Sequence, residues 1–188
     1  MEREDKEILK DINDNKIEAI EELIKKYQKR VYNLIYGLCL NYDTAWDVSQ
    51  DVFIKVIKNV KKFRQESSFW TYLYRISMNA YYDYYRKMKV RSKELNITDM
   101  EDEETKRTYQ IKDLVDIQED FEKKELKESI KLALKELTDM QKQVFILKNT
   151  QGLKIKEISE ILQISEGTVK SHLNRAMEKL KEILGVKL

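Results

Sequence analysis

The chain contains no proline and only four glycines among its 188 residues. Turn-rich β folds need these two residue types at special backbone angles, so their scarcity favours helices. Leucine, isoleucine, lysine and glutamate are abundant, and most of them are good helix formers. The sequence therefore predicts an all-α fold, and the chain is long enough for two small domains.

Apolar residues recur at helical spacing along the first half of the chain. They predict one helix over residues 17–40 and a second over about residues 44–60, with Thr44 as its cap. The predicted buried stripe of the second helix consists of Ala45, Val48, Val52, Val56 and Val60.

A break at residues 64–68 precedes a third predicted helix, with Ser67 or Ser68 as its cap. Its inner face is predicted to be Phe69, Leu73, Ile76 and Ala80. The helix ends in residues 86–93, which include five basic residues and no acidic residue.

Charge is distributed unevenly along the chain. The net charge is +5 over residues 1–93, −7 over residues 94–128 and +4 over residues 129–188. Basic blocks suit a polyanion such as nucleic acid. Helical periodicity is lost over residues 94–121, so a flexible acidic linker is predicted there. The predicted organisation is a domain at 1–92, a linker at 93–121 and a second domain at 122–188.

The C-terminal segment has the pattern of a helix-turn-helix. Thr138 with Gln141 forms a capping box for a helix to about Lys148, and Gly152 suits the stop that follows. Two short amphipathic stretches then meet at a tight turn, with Ser165 as the cap of the second. The residues predicted to face DNA, by their donor and acceptor groups, are Lys170, Ser171, His172, Asn174 and Arg175.

The third predicted helix has an unusual outer face. Six of the eleven tyrosines lie between Tyr72 and Tyr85. Aromatic rings stack on unpaired bases, arginines meet the phosphate backbone, and an asparagine can bond a base edge. Tyr72, Arg75, Asn79, Tyr82 and Arg86 share one side of this helix, which predicts binding to single-stranded nucleic acid.

Several other classes of function are not expected. The lone Cys39 excludes an internal disulfide and is predicted to be a buried thiol. The lone His172 has no second ligand nearby, so neither a metal site nor a cofactor is predicted, and no enzymatic activity or small-molecule substrate is expected. The charged start of the chain and the lack of a long apolar run predict a cytoplasmic protein.

Both halves resemble one family, the extracytoplasmic-function class of sigma-70 RNA polymerase sigma factors. In the C-terminal half, residues 167–171, Arg175, Ala176 and Leu180 are similar to the family's promoter-reading domain. Gln163 and His172 stand where glycine and arginine are common in the family. In the N-terminal half, residues 67–76 with Asn79 and Asp83 resemble the family's strand-opening helix.

The resemblance implies a role for each surface. The loop from Arg64 through Ser67, with Phe69 and Trp70, would join the outer helix face in binding the minus-ten element. The second helix would bind the clamp helices of the largest polymerase subunit, and the C-terminal domain would bind the minus-thirty-five element and meet the flap. The implied polymerase-binding residues are Asp47, Gln50, Asp51, Phe53 and Ile54.

The resemblance also implies partners and regulation. These are RNA polymerase core, promoter DNA and an anti-sigma factor, often anchored in the membrane, which holds the protein inactive until an envelope stress releases it. The alternative from the sequence is a helix-turn-helix regulator that binds operator DNA without polymerase. That class predicts a dimerisation or ligand-sensing surface, which the sequence does not contain.

Overall fold

The computed structural model describes residues 3–94, with side chains through Val90, and residues 129–185. All regular structure within these two ranges is helical. The helices are α1 (Asp5–Asn13), α2 (Ile17–Cys39), α3 (Tyr42–Asn59), α4 (Phe69–Glu94), α5 (129–135), α6 (Asp139–Phe145), α7 (Ile155–Leu162) and α8 (Glu166–Leu184). A 3-10 turn, Val60–Lys62, follows α3, and a π-helical turn, Ile146–Thr150, continues α6.

Helix α1 was not anticipated from the charged start of the chain. Ile8, Leu9 and Ile12 are buried against α2, although the helix spans only nine residues. Ion pairs also join the two elements: Arg3 lies 2.8 Å from Glu22 and Asp5 lies 2.9 Å from Lys26. Residues 3–13 are therefore part of the N-terminal helical core.

The predicted stripe of α3 is confirmed, because all five of its residues are buried. The predicted cap is wrong by three residues. Asn41 caps the helix, since its side-chain oxygen accepts a hydrogen bond from the backbone N–H of Thr44 at 2.9 Å. Cys39, at the corner between α2 and α3, is only partly buried, and its thiol donates to the carbonyl of Asn41. Burial raises the pKa of this thiol.

Helix α4 begins as predicted after Ser68, whose Oγ accepts from the backbone N–H of Thr71 at 3.1 Å. Leu73 and Ala80 are buried, and Ser77, fully buried, bonds the carbonyl of Leu73 within the helix. Residues 93 and 94 continue α4, and the rest of the predicted linker lies outside the described residues.

The capping box at Thr138 and Gln141 is confirmed. The helix runs on through the π-helical turn, which ends before Gly152 at a positive φ of 68°, the backbone angle at which glycine is favoured. Helices α7 and α8 then form the predicted helix-turn-helix, whose inner face includes the buried Val169 and Ala176.

The two halves of the chain pack against each other. One continuous hydrophobic core contains Leu34 and Ile35 of α2 together with Val144, Ile146 and Leu147 of the C-terminal half. A smaller cluster lies under α5 and α8 and includes Leu40 from the N-terminal half. No helix in the described ranges combines the length and the apolar character that a membrane crossing requires.

Candidate nucleic-acid interfaces

The outer face of α4 is exposed as its spacing predicts. Arg75, Asn79, Tyr82 and Arg86 are all exposed, one helical turn apart from each other. Tyr72 is half-buried, because its ring packs on Phe63 at a centroid distance of 4.7 Å. Two cations, an amide and two aromatic rings therefore share one face about four turns long.

The structure does not bring Phe69 and Trp70 to this face. Phe69 is 3% exposed and Trp70 is 5% exposed, in the core rather than at the surface. The indole of Trp70 stacks on Tyr27 at 6.2 Å, and the guanidinium of Arg30 lies 3.8 Å over its ring. Both side chains pack on the core side of α4, where they cannot reach a base.

A short loop leads into the exposed face. Phe63 anchors this loop by packing edge-on against Phe69 at 5.6 Å. Arg64 and Gln65 are exposed, Ser67 is half-exposed, and Gln65 has a positive φ of 56°. A non-glycine residue in this left-handed region costs roughly 1–2 kcal/mol, so the core contacts on both sides must hold the loop in place.

Asp83 organises the cations beside the exposed face. Its carboxylate accepts from Arg86 at 2.7 Å and lies 3.5 Å from Lys55 on α3. Lys55 also binds Asp51 at 2.9 Å. Burial opposes the charge of Lys55, but the two carboxylates outweigh it and raise the pKa of this lysine. The Lys55–Asp83 pair therefore joins α3 to α4, and the Asp83–Arg86 pair lies within α4.

An open hollow of about 440 Å³ lies near the C-terminal end of this face. Its volume falls in the range of small-ligand pockets. The tyrosine rings and the aliphatic stems of the basic residues give it a mainly apolar wall with cationic groups at the edge. The lining residues are Tyr82, Tyr85, Arg86 and Lys89, of which Tyr85 and Lys89 were not predicted as site residues.

The outer face of α3 combines acidic and apolar groups. Asp47, Gln50 and Ile54 are exposed as expected, Asp51 is half-exposed beside Lys55, and Phe53 is half-buried against the core.

Two further residues, Trp46 at 45% exposed and Ile57 at 44%, lie on the same side of α3. Trp46 and Ile57 could have been found from the sequence by their helical spacing. Trp46, Gln50, Ile54 and Ile57 follow one another at intervals of four, four and three residues. Large apolar groups on one exposed stripe are typical of a protein-binding surface.

The turn between the two helices of the helix-turn-helix is fixed on both sides. Ser165 caps α8 by accepting from the N–H of Thr168 at 3.1 Å, and Gln163 closes α7 in the left-handed region at a φ of 57°. Ser159 fixes the turn by donating to the carbonyl of Ile164 at 2.6 Å. The predicted contact residues Lys170, Ser171, Asn174 and Arg175 are exposed on the outer side of α8.

His172 lies at the edge of that face and is half-buried. Its Nδ1 is buried and has no hydrogen-bond partner among the described residues. The other four predicted residues of α8 therefore form the accessible face. The described ranges hold no cluster of three or more histidine, cysteine or acidic residues that could bind a metal ion.

Two family models match separate parts of the chain. The family described as Sigma-70 region 2 matches residues 23–91, and the family described as Sigma-70 region 4 matches residues 127–180. The first range contains the faces of α3 and α4, and the second contains the helix-turn-helix.

Relatives match along almost the whole length. The chain is 31% identical to RNA polymerase sigma factor YlaC of Bacillus subtilis, over 88% of this chain and 91% of that protein. It is 30% identical to the ECF RNA polymerase sigma factor SigW of the same organism, over 95% and 96% of the two chains. The fold is that of CnrH in complex with the cytosolic domain of CnrY, with a TM-score of 0.69, 18% identity and coverage of 96% and 97%.

A region 2 followed by a region 4 is not the composition of an operator-binding regulator that acts without polymerase, so that alternative is set aside. The first matched region includes α4, with its face of tyrosine, arginine and asparagine. The second includes most of the helix-turn-helix. The chain belongs to the extracytoplasmic-function class of the sigma-70 family and is an alternative sigma factor, a transcription initiation factor for RNA polymerase.

Proposed function

We propose that α3 docks the protein on RNA polymerase core, that α4 captures the opened strand of the minus-ten element, and that α8 reads the minus-thirty-five element as duplex. The observation that carries this proposal is the exposed α4 face with Arg75, Asn79, Tyr82 and Arg86. It provides the groups needed to bind a single strand, and the loop with Arg64 and Ser67 continues it.

Strand capture on α4 needs no energy source beyond binding. Stacking of an aromatic ring on an unpaired base contributes about 1–3 kcal/mol per base, and the arginines add attraction to the phosphates. The open hollow beside Tyr82 and Arg86 offers an aromatic wall on which such a base can stack. Binding bases that are exposed by thermal opening shifts the duplex towards the melted state.

Docking uses the exposed stripe of α3. Trp46, Ile54 and Ile57 supply apolar area, and Asp47 with Gln50 supplies polar contacts at its edge. An apolar centre with a polar rim is the usual composition of a protein interface. The proposed partner of this stripe is the clamp-helix pair of the largest polymerase subunit, and the C-terminal half meets the flap.

Reading of duplex DNA uses α8. Lys170 and Arg175 can neutralise phosphates or bond guanine, and Ser171 and Asn174 can bond base edges in the major groove. His172 contributes from the edge of this face. The predicted acidic linker at 93–121 lies outside the described residues from residue 95 on. Because like charges repel, we expect it to be excluded from the DNA-binding surfaces.

Regulation is proposed to follow the partners of similar folds. CnrH is described in complex with the cytosolic domain of CnrY. By analogy, an anti-sigma factor anchored in the membrane binds this protein in the cytoplasm and releases it after envelope stress.

The test of this proposal is Asn79→Ala, with Asn59→Ala as its matched control. Both asparagines are exposed, but Asn59 bonds only the carbonyl of Lys55 in its own helix. We expect Asn79→Ala to reduce promoter opening by core polymerase on the order of tenfold, the effect of losing a base contact of about 1–3 kcal/mol. Opening is measured with a fluorescent base analogue in the minus-ten element of a promoter selected from a genomic library.

The control variant should open that promoter as the unchanged protein does. Both variants should bind core polymerase with unchanged affinity. Equal opening by the two variants would contradict the role of the α4 face, and loss of core binding by Asn79→Ala would place polymerase rather than DNA on that face.

A further inference from the structure

Four basic residues lie close together in the sequence where α3 ends and the loop before α4 begins. They are Lys58, Lys61, Lys62 and Arg64, and all four are exposed. Residues 52–65 contain no acidic residue. Arg64 belongs to the surface proposed to bind the minus-ten element. The three lysines, here called the basic ridge, have no role in that surface.

The charges of the basic ridge are not neutralised by neighbouring carboxylates. None of the ion pairs within the described ranges includes Lys58, Lys61 or Lys62. Lys61 donates to the side-chain oxygen of Asn15, which is an uncharged amide. By contrast, Lys55, slightly earlier in α3, is paired with two carboxylates. Clustered cations without acidic partners repel one another, and a bound polyanion relieves that repulsion.

The core holds the basic ridge beside the α4 face. Val60 lies between the lysines and is 4% exposed, and its carbonyl accepts from the backbone N–H of Phe63 at 3.0 Å. The ring of Phe63 packs on Tyr72, with the two centroids 4.7 Å apart. Tyr72 is the first residue of the α4 face, so the ridge directly adjoins the surface proposed to capture a single strand.

The composition of the ridge favours nucleic acid over an acidic protein as its partner. A protein interface usually has an apolar centre inside a polar rim. The apolar residues of this segment, Val60 and Phe63, pack in or against the core instead. Apart from Asn59, whose side chain bonds its own helix, the exposed residues from 58 to 62 are lysines. A lysine ammonium attracts a phosphate as a point charge.

The position of the ridge determines which part of the strand it can reach. The α4 face from Tyr72 to Arg86 is about 21 Å long at a rise of 1.5 Å per residue. A strand longer than this face continues past its ends. The chain leads from the C-terminal end of α4 to the half with α8, which is proposed to bind the upstream minus-thirty-five element. The ridge adjoins the opposite end of α4, which is therefore the downstream end.

We infer that the basic ridge binds the phosphates of the opened strand immediately downstream of the minus-ten element, whatever the base sequence there. This inference rests on the proposed function of α4 and extends it to a further stretch of DNA. Phosphate contacts fix the path of a strand without reading its bases. The ridge thus holds the strand where it leaves the α4 face.

The test compares two double variants that each remove two exposed positive charges. Lys58→Ala with Lys62→Ala changes the ridge, and Lys25→Ala with Lys29→Ala is the matched control on α2. Each protein is assembled with core polymerase and titrated with labelled promoter DNA whose minus-ten element is already unpaired. The non-template strand either ends at the downstream edge of that element or continues towards the start site. Affinity for both DNAs is measured over a range of salt concentrations.

The ridge variant should lose affinity for the longer DNA only. Each phosphate contact on a single strand contributes about 0.7 to the slope of log affinity against log salt, so the slope should fall by about 1.4. The same relation gives a loss on the order of tenfold near 0.15 M salt. The control variant should bind both DNAs as the unchanged protein does. Lys58→Arg with Lys62→Arg should also do so, because it keeps both charges.

Both alanine variants should bind core polymerase with unchanged affinity, which also shows that they are folded. Weaker core binding by the ridge variant alone would make the ridge a protein contact and overturn the inference. So would unchanged affinity for the longer DNA, equal losses by ridge and control, or an equal loss on both DNAs.

The inference and the proposed function fail in different ways. If Asn79→Ala reduces promoter opening but the ridge variant binds the longer DNA normally, only the ridge is ruled out. If Asn79→Ala opens the promoter as the unchanged protein does, the proposed role of the α4 face fails, and the ridge inference fails with it.

Discussion

Tyr82 combines an exposed ring with a hydroxyl that is bonded to the C-terminal half. It is 39% exposed, enough for a base to stack on its ring, while its hydroxyl accepts from Gln143. Burial raises the pKa of Tyr82 and Tyr74, so both remain neutral phenols in the physiological range. The contacts of these residues with Gln143 are therefore ordinary hydrogen bonds that do not change with pH near neutrality.

Trp46 is the residue of α3 expected to contribute most to polymerase binding. Tryptophan is enriched among residues whose truncation weakens an interface by 2 kcal/mol or more. We expect Trp46→Ala to weaken binding to core polymerase by about 2 kcal/mol, roughly thirtyfold in Kd. The two Kd values are measured by fluorescence anisotropy of the labelled proteins titrated with core enzyme.

Ile17→Ala is the control for that change, because Ile17 is 72% exposed but lies on α2, away from the stripe. It should bind core polymerase normally. Asp47→Ala with Gln50→Ala should weaken binding as Trp46→Ala does. If that pair weakens binding and Trp46→Ala does not, Trp46 lies outside the contact.

At the scale of elements, the start of α4 determines where the exposed face proposed to bind DNA is presented. Ser68 caps this helix through the N–H of Thr71, whereas the hydroxyl of Ser67 donates only to the carbonyl of Ser68 at 3.4 Å. Ser68→Ala should lower the free energy of unfolding by about 1 kcal/mol. Ser67→Ala should change it by less than about 0.5 kcal/mol. Urea denaturation followed by circular dichroism distinguishes the two, and equal losses would remove Ser68 as the cap.

The turn between α7 and α8 contains a strained residue. Gln163 has a φ of 57°, where a side chain costs energy that glycine does not. Gln163→Gly should stabilise the protein by about 1 kcal/mol, with Tm higher by roughly 2–4 °C. Gln163→Ala should give no such gain, since alanine keeps the Cβ atom. A calorimetric scan of both variants tests this, and stabilisation by alanine alone would contradict it.

The elements with long apolar periodicity were predictable from sequence, and those set by distant contacts were not. α2, α3 and α4 follow their buried stripes, and the caps at Ser68, Thr138 and Ser165 are local signals. α1 spans only nine residues, so its apolar periodicity is too short to be recognised in the sequence.

The family resemblance implies a DNA-binding role for Trp70, but the residue is buried because distant parts of the chain cover it. Tyr27 and Arg30 cover its ring, and they precede it by about forty residues. Helical spacing shows which residues share a face of one helix. It does not show which of those faces another segment of the chain covers. The same limit hid the contact of Gln143 with α4, which joins residues 69 and 61 positions apart.

At the scale of the whole molecule, the two halves pack around one continuous hydrophobic core, and Gln143 and Gln151 of the C-terminal half are hydrogen-bonded to residues of the N-terminal half beside it. The exposed residues of α3, α4 and α8 lie on three separate helices. The surfaces proposed to bind polymerase and DNA therefore share no residues.

The most direct test of the account is to map which DNA each half touches within one open promoter complex. An iron chelate is attached to a single cysteine, either Lys87→Cys or Glu178→Cys, in the Cys39→Ala background; both positions are exposed and lie outside the proposed contact residues. Hydroxyl-radical cleavage of end-labelled promoter is read with core polymerase present. The account predicts cleavage around the minus-ten element from position 87 and around the minus-thirty-five element from position 178. Cleavage at the same element from both positions, or cleavage from position 87 confined to intact duplex, would contradict it.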